Sequence, residues 1–380
     1  MDNFIVSARK YRPTTFSSVV GQEHITSTLK NAIKTGQVAQ AFLFCGPRGV
    51  GKTTCARILA KALNCNHLTE NYEPCNECES CQAFNKSASF NVYELDAASN
   101  NSVEDIRELV NQVRISPIGA KYKVYIIDEV HMLSPSAFNA FLKTLEEPPA
   151  YAKFIMATTE KHKIIPTILS RCQVYDFKRI QEIDIVNHLK YVAQSENVTA
   201  DDDSLRIVAA KADGALRDAL SIFDQLVSFS GNNITYQSTI ANLNVLDVDN
   251  YFKMVDYLFS EDPTQFLLLF NDILSKGFDA QHFISGLASH FRNLLMAQNI
   301  ATIPLMEVSE TIKAKFAKQA QALDKNLLLR AVDLTNNCDF NYKASNNKRL
   351  SVEICLMQIH ANYIFVKNRA NAAFVRQPRG

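Results

Sequence analysis

The chain reads as an α/β domain built on a five-stranded, mostly parallel sheet, followed by two all-helical domains. Through about residue 180, short apolar runs rich in β-formers alternate with helical patterns, the signature of crossover units. Beyond that point apolar residues recur at helical spacing, as in Leu205, Val208 and Ala212 and then Leu216, Leu220, Phe223 and Leu226. The strand candidates are near-continuously apolar, which suits strands covered by helices on both faces.

Taken in order, the runs at 41–45, 91–95, 123–127, 153–157 and 173–177 predict five strands. The segment Thr54 to Leu63 predicts the helix after the first strand. Ser102-Val103-Glu104-Asp105 has the pattern of a capping box and opens the helix after the second. Ser134-Pro135 supplies a cap and a first-turn proline for the helix after the third, with Phe138, Phe141 or Leu142, and Leu145 on its buried side and Pro148-Pro149 at its end. Gly231-Asn232-Asn233 and Ser260-Glu261-Asp262-Pro263 break the later helical pattern. Four regions follow: a nucleotide-binding domain at 1–180, a small helical domain at 181–243, a second helical domain at 244–365 and a basic flexible tail at 366–380.

Composition bounds the function. At 380 residues the chain holds two or three domains, and its 47% apolar and 21% charged content excludes a wholly disordered or collagen-like protein. Forty basic residues against thirty-nine acidic leave a net charge of +1, so no global positive field draws it to DNA or a membrane. Apolar stretches fall short of the ~20 residues that span a bilayer, and Met1-Asp2-Asn3-Phe4 lacks a basic segment followed by an apolar run. A soluble cytoplasmic protein with no membrane partner is expected.

Directly after the first strand stands Gly46-Pro47-Arg48-Gly49-Val50-Gly51-Lys52-Thr53, followed by Thr54 at the start of a helix. Strand, glycine loop and helix together make the phosphate loop of a nucleotide-binding protein: backbone N–H groups curl around phosphates, Lys52 reaches the β and γ oxygens, and the Thr53 hydroxyl can ligate Mg²⁺. The third strand ends in Asp128-Glu129, where Asp128 would hold Mg²⁺ and Glu129 would polarise water. Thr158-Thr159 closes the fourth strand. Read from the residues alone it serves equally as a water-orienting hydroxyl or as ordinary strand residues.

Four of the nine cysteines cluster as Cys65-x9-Cys75-x2-Cys78-x2-Cys81, the thiolate number that a closed structural zinc site requires. The Fe–S alternative lacks its next ligand, since Asn85 stands four residues after Cys81. Free surface thiols are the other alternative. Cys45, Cys55, Cys172, Cys338 and Cys355 read as small core residues.

The order of Lys52, Asp128-Glu129, Thr158-Thr159, Ser170-Arg171-Cys172 and Gly214-Ala215-Leu216-Arg217-Asp218 resembles the AAA+ ATPases of clamp loaders. More closely, Ala8 to Pro13, Val20-Gly21-Gln22-Glu23-His24, Lys143 to Pro149 and the four-cysteine insertion are similar to the gamma/tau family of bacterial DNA polymerase III. The resemblance covers roughly residues 4–240 with specific motifs and continues to about 365 as helical pattern alone.

The resemblance implies an ATPase within the DNA polymerase III holoenzyme, with ATP, Mg²⁺ and structural Zn²⁺ as cofactors. It would work in a pentamer with delta and delta-prime subunits and further copies of itself, loading the sliding clamp onto primed DNA. Thr159 matches the sensor 1 position, Arg171 the arginine finger that acts on a neighbouring subunit's nucleotide, and Arg217 the sensor 2 arginine of the lid. Tyr11, Arg12 and Pro13 match the segment near the adenine. From the residues alone, Arg171 also reads as a solvated charge, and Arg217 as a surface arginine paired with Asp213 or Asp218. Arg107 is a candidate DNA phosphate contact or a helix-surface charge beside Glu104 and Glu108. Leu267, Phe270 and Leu274 are a candidate association face in the collar, or core. A non-hydrolysing structural subunit and a branch-migration type of AAA+ remodeller are the rival functions.

Overall fold

The structure is a computed structural model and describes the backbone of residues 5–306 and 308–375. Two compact units divide between Ile234 and Thr235.

The first unit is organised by five strands: β1 (Ala41–Cys45), β2 (Val92–Asp96), β3 (Lys123–Asp128), β4 (Ala152–Thr158) and β5 (Gln173–Asp176). They lie in the order β2-β3-β4-β1-β5, and every pairing is parallel. Ala41 pairs with Phe154, Lys123 with Ala152 and Phe42 with Gln173, so all five carboxyl ends emerge on one edge.

Side chains of successive strand residues point to opposite faces. Phe42, Phe44, Ile126 and Ile155 thus enter a core shared with Ile25, Leu29, Ile58 and Leu59 of the helices Glu23–Thr35 and Lys52–Leu63. Leu43, Tyr125, Ile127 and Phe154 enter a second core with Ile106, Leu109, Phe138 and Phe141 of the helices Val103–Val113 and Pro135–Glu146. Both helices start where their caps direct. Ser102 accepts from Asp105 N in a capping box, and Ser134 Oγ accepts from Ala137 N at 3.2 Å.

Burial on both faces holds for β1 and β4, while β2 and β5 are half-exposed. These two are the edges of the sheet, where one flank has no strand neighbour.

The unit continues through helices Glu182–Ser195, Asp202–Lys211 and Leu216–Ser230, with Leu205, Val208, Leu220, Phe223 and Leu226 buried. An entirely helical reading of this stretch needs one correction. Thr199–Ala200 (β6) and Asn233–Ile234 (β7) form a parallel pair, and two residues per strand are too few to leave a periodic signal.

The second unit is helical: Tyr236–Leu243, Val248–Leu258, Thr264–Ser275, Ala280–Ala297, Glu310–Gln321, Lys325–Tyr342 and Lys348–Val375. The helix Tyr236–Leu243, which the sequence pattern assigns to the smaller helical domain, falls within this unit. Its core gathers Phe266, Phe270, Phe283, Phe291 and Leu356. Phe270 is fully buried there, and the partly buried Leu267 and Leu274 pack against the same core, so of the two readings of this stripe, association face or core, the structure favours core. The basic tail also needs correction, because the last helix runs through Val375 and includes its first ten residues; 376–380 lie outside the described residues. Among the described residues no helix is long and apolar enough to cross a membrane.

Phe154 stacks on Tyr125 at 5.5 Å and meets Phe141 edge-on at 5.3 Å in the middle of the sheet. Phe154→Ala is therefore expected to cost about 3 to 5 kcal/mol, read as an earlier unfolding midpoint in a denaturant titration followed by circular dichroism.

Candidate nucleotide site and four-thiol centre

The carboxyl edge of the sheet opens into a cavity of about 450 Å³. It is lined by Arg48, Gly49, Val50, Gly51, Lys52, Thr53 and Thr54 from the loop and helix after β1, by Asp128 and Glu129 after β3, and by Arg217 from the helix Leu216–Ser230. Tyr11, Arg12 and Pro13 line it from the N-terminal segment.

Gly49 shows why the loop needs glycine. Its φ is +78°, and a Cβ would stand 2.9 Å from the Cβ of Ala215, so this turn touches the start of the arginine-bearing helix. The Arg217 N–H donates to Gly49 O at 3.4 Å across the same contact.

Lys52 is buried, and its ammonium donates to Gly46 O at 2.8 Å and Pro47 O at 2.7 Å. Burial pushes its pKa down, opposed by the carboxylates of Glu129 and Asp128. Thr53 Oγ1 donates to Asp128 Oδ2 at 2.6 Å, which places hydroxyl and carboxylate side by side as two oxygens that can share a divalent cation. A divalent cation held there would neutralise charge on a bound phosphate.

Glu129 adopts φ +46° at the end of β3, turning its carboxylate toward β4. There Thr159 donates to Glu129 Oε2 from both N, at 3.2 Å, and Oγ1, at 3.0 Å. Thr159 thus acts on the cavity through Glu129 without lining it. His131, whose side chain is buried, lies 3.1 Å from Thr158 Oγ1 and 3.4 Å from Glu129 Oε2. This histidine gave no pattern in the sequence beyond its nearness to Asp128-Glu129.

Arg171 stands apart. It does not line the cavity, and it donates to Glu146 Oε1 at 2.8 Å and to Thr167 O at 2.7 Å. Gly46 and Pro47 form the root of the loop. The cavity also has an apolar wall of Val19, Val20, Ile180, Leu216 and Leu220, which the sequence does not assign to the site, although Val20 and Leu216 fall within the motifs quoted above. Arg12 Nε lies 3.4 Å from Thr54 Oγ1, and Tyr11 donates to Glu196 Oε1 at 2.5 Å, tying the N-terminal segment to the C-terminal cap of the helix Glu182–Ser195.

The sulfurs of Cys65, Cys75, Cys78 and Cys81 all lie within 4.8 Å of one another. Three separations are 3.5, 4.0 and 4.0 Å, near the roughly 3.8 Å that tetrahedral Zn–S bonds of about 2.3 Å impose. The Cys78 N–H points at Cys75 Sγ from 3.3 Å and helps pull that thiol below its usual pKa. Lys61, buried alongside, donates to Asn76 Oδ1 and places a positive charge against the thiolate cluster. The donor set suits a four-thiolate zinc centre, with no side left for substrate.

Zinc held this way should appear at one equivalent per chain by elemental analysis and fall in Cys78→Ser. Ligand thiolates must be deprotonated, so zinc retention is expected to weaken as pH falls, read by a colorimetric chelator titration.

Three family models match consecutive parts of the chain: "DNA polymerase III, delta subunit" over residues 21–181, "DNA polymerase III clamp loader subunit, ATPase lid domain" over 184–232, and "DNA polymerase III subunits gamma and tau domain III" over 240–370. The DNA polymerase III subunit gamma of Buchnera aphidicola from Acyrthosiphon pisum is 34% identical over 94% of this chain and 99% of its own length. The tau subunit of Bacillus subtilis is 41% identical over 92% of this chain, which spans only 62% of that relative. Among solved structures, the Thermotoga maritima RuvB Holliday junction branch migration motor superposes with a TM-score of 0.48 at 18% identity, over 65% of this chain and 79% of that one. With specific matches running from residue 21 to 370 and a relative covered almost end to end, the chain belongs to the gamma/tau family of DNA polymerase III, AAA+ ATPases of the bacterial clamp loader.

Proposed function

We propose that this chain is the ATP-hydrolysing motor subunit of a replicative clamp loader, working in the cytoplasm. The observation that carries the reading is the convergence of Lys52, Thr53, Asp128, Glu129 and Arg217 on one cavity while Arg171 sits elsewhere on the same unit. A chain with every phosphate-facing group but one, and that one turned away, is suited to hydrolysis at a site shared between neighbours.

In this reading the loop amides and Lys52 bind the β and γ phosphates, and Thr53 and Asp128 hold Mg²⁺. Glu129, oriented by Thr159, takes a proton from the attacking water. Arg217 contacts the phosphates from the lid, and Tyr11, Arg12 and Pro13 lie beside the adenine. Arg171 reaches the γ-phosphate on the next subunit and stabilises charge that grows in the transition state. Residues 65–81 carry a structural zinc.

ATP binding would close a pentamer of this chain with delta and delta-prime around the sliding clamp, and hydrolysis triggered by primed DNA would release the clamp. The chain would act inside a DNA polymerase complex, its own chemistry being ATP hydrolysis. The intact set from Lys52 to Glu129 favours a hydrolysing over a purely structural subunit. Copies could meet through exposed apolar residues of the second unit, among them Phe340 at 86% exposure. Arg107, exposed on the helix Val103–Val113, is a candidate phosphate contact for DNA.

Steady-state ATPase assays test this. Activity of the chain alone should be weak and rise sharply with delta, delta-prime, clamp and primed DNA. Arg171→Ala should lower the stimulated rate by on the order of 10³-fold while leaving nucleotide affinity near wild type, and Glu129→Gln should bind ATP without turnover. Strong activity alone, indifferent to Arg171, would overturn the shared site.

A further inference from the structure

The four-cysteine module lies between the helix Lys52–Leu63 and β2, and most of what it holds is local. Glu73 is different. It precedes Cys75 by two positions and is only 7% exposed, yet its carboxylate is spent outside the module. Oε2 accepts from the Phe16 N–H at 2.6 Å, and Oε1 accepts from the Ser17 N–H at 3.0 Å, with Lys30 Nζ 3.4 Å away.

Glu73 is itself held in place, its N–H donating to Thr69 Oγ1 at 3.1 Å and its carbonyl accepting from Thr69 N at 3.0 Å. Packing repeats the connection. Leu68 and Phe84 of the module join the same core as Phe16, Val19 and Val50 of the phosphate loop. The anchored stretch is bracketed in sequence by cavity walls, Arg12 and Pro13 on one side and Val19 and Val20 on the other.

We infer that Glu73 is a positioning residue for the nucleotide site, through which the four-cysteine module holds the 12–20 segment against the cavity. The inference rests on reading the cavity as a nucleotide site. A glutamine at position 73 can accept only one of the two N–H bonds and turns an NH₂ donor toward the other, so the anchor is lost with little change in side-chain volume.

The test is a fluorescence titration with N-methylanthraniloyl ATP, together with zinc content by elemental analysis, for the wild-type chain and Glu73→Gln. The variant should keep its zinc and bind the nucleotide about tenfold more weakly, the loss expected when two inward N–H groups lose a charged acceptor. Equal affinity with zinc retained overturns the inference. So does loss of zinc from the variant, because Glu73 would then support the module alone. A wild-type chain that fails to bind the probe overturns the nucleotide reading itself. A second measurement uses the unmodified chain, following hydrogen exchange before and after zinc is stripped by a chelator. Amides of residues 16–19 should lose protection while β1, β3 and β4 keep theirs. Unchanged protection, or simultaneous loss across the sheet, overturns the link.

Discussion

The hydrogen bond from Thr53 Oγ1 to Asp128 Oδ2, 2.6 Å long, joins two parts of the first unit that the sheet keeps apart. Thr53 lies in the first turn of the helix after β1, and Asp128 ends β3, but β1 and β3 are not neighbours. β4 lies between them, so the two groups must reach across roughly two strand spacings of about 4.8 Å each. They can do so because the phosphate loop leaves β1 and curls back over the carboxyl edge. The same insertion brings Thr158 and Thr159 into the middle, where Thr159 takes hold of Glu129. Strand order thus sets the chemistry: three strand ends deliver a hydroxyl, a carboxylate pair and a carboxylate-orienting threonine to one crevice.

Much of this was legible in the sequence because the informative contacts are local. A phosphate loop carries its ligands within eight residues, and Asp128-Glu129 and Thr158-Thr159 follow short apolar runs of strand length. Capping by Ser102 and Ser134 is likewise a short-range hydrogen bond with a short-range signature. The four cysteines announced themselves by spacing, and the structure brings their sulfurs together.

What escaped was long-range or weakly patterned. The apolar wall draws Val19, Val20, Ile180, Leu216 and Leu220 from three separate stretches, and each looks like ordinary core in its own window. β6 and β7 are two residues each and lie thirty-four apart. Leu267, Phe270 and Leu274 show an ambiguity of another kind: a helical apolar stripe looks the same whether it meets its own core or another chain, and only the fold, which packs all three in or against the core, decides between them. Glu73 is the hardest case. A lone glutamate in a polar insertion reads as solvated, and only the fold reveals that it satisfies backbone N–H groups fifty-six and fifty-seven residues away.

Arg171 shows how a weak contact can suit the proposed mechanism. Its partner Glu146 is 2.8 Å away, and the two side chains are 33% and 49% exposed. A pair so open to water is worth at most about 1 kcal/mol, because the gain is screened and two long side chains must be immobilised. That is enough to keep the guanidinium oriented on its own surface, with Thr167 O as a second acceptor. It is too little to compete with a triphosphate, whose several negative charges in a site closed from water would bind the same guanidinium more strongly. An arginine tied down by a buried carboxylate could not be exchanged so cheaply between partners. The exposed pairing therefore suits a finger that is presented by one subunit and used by the next.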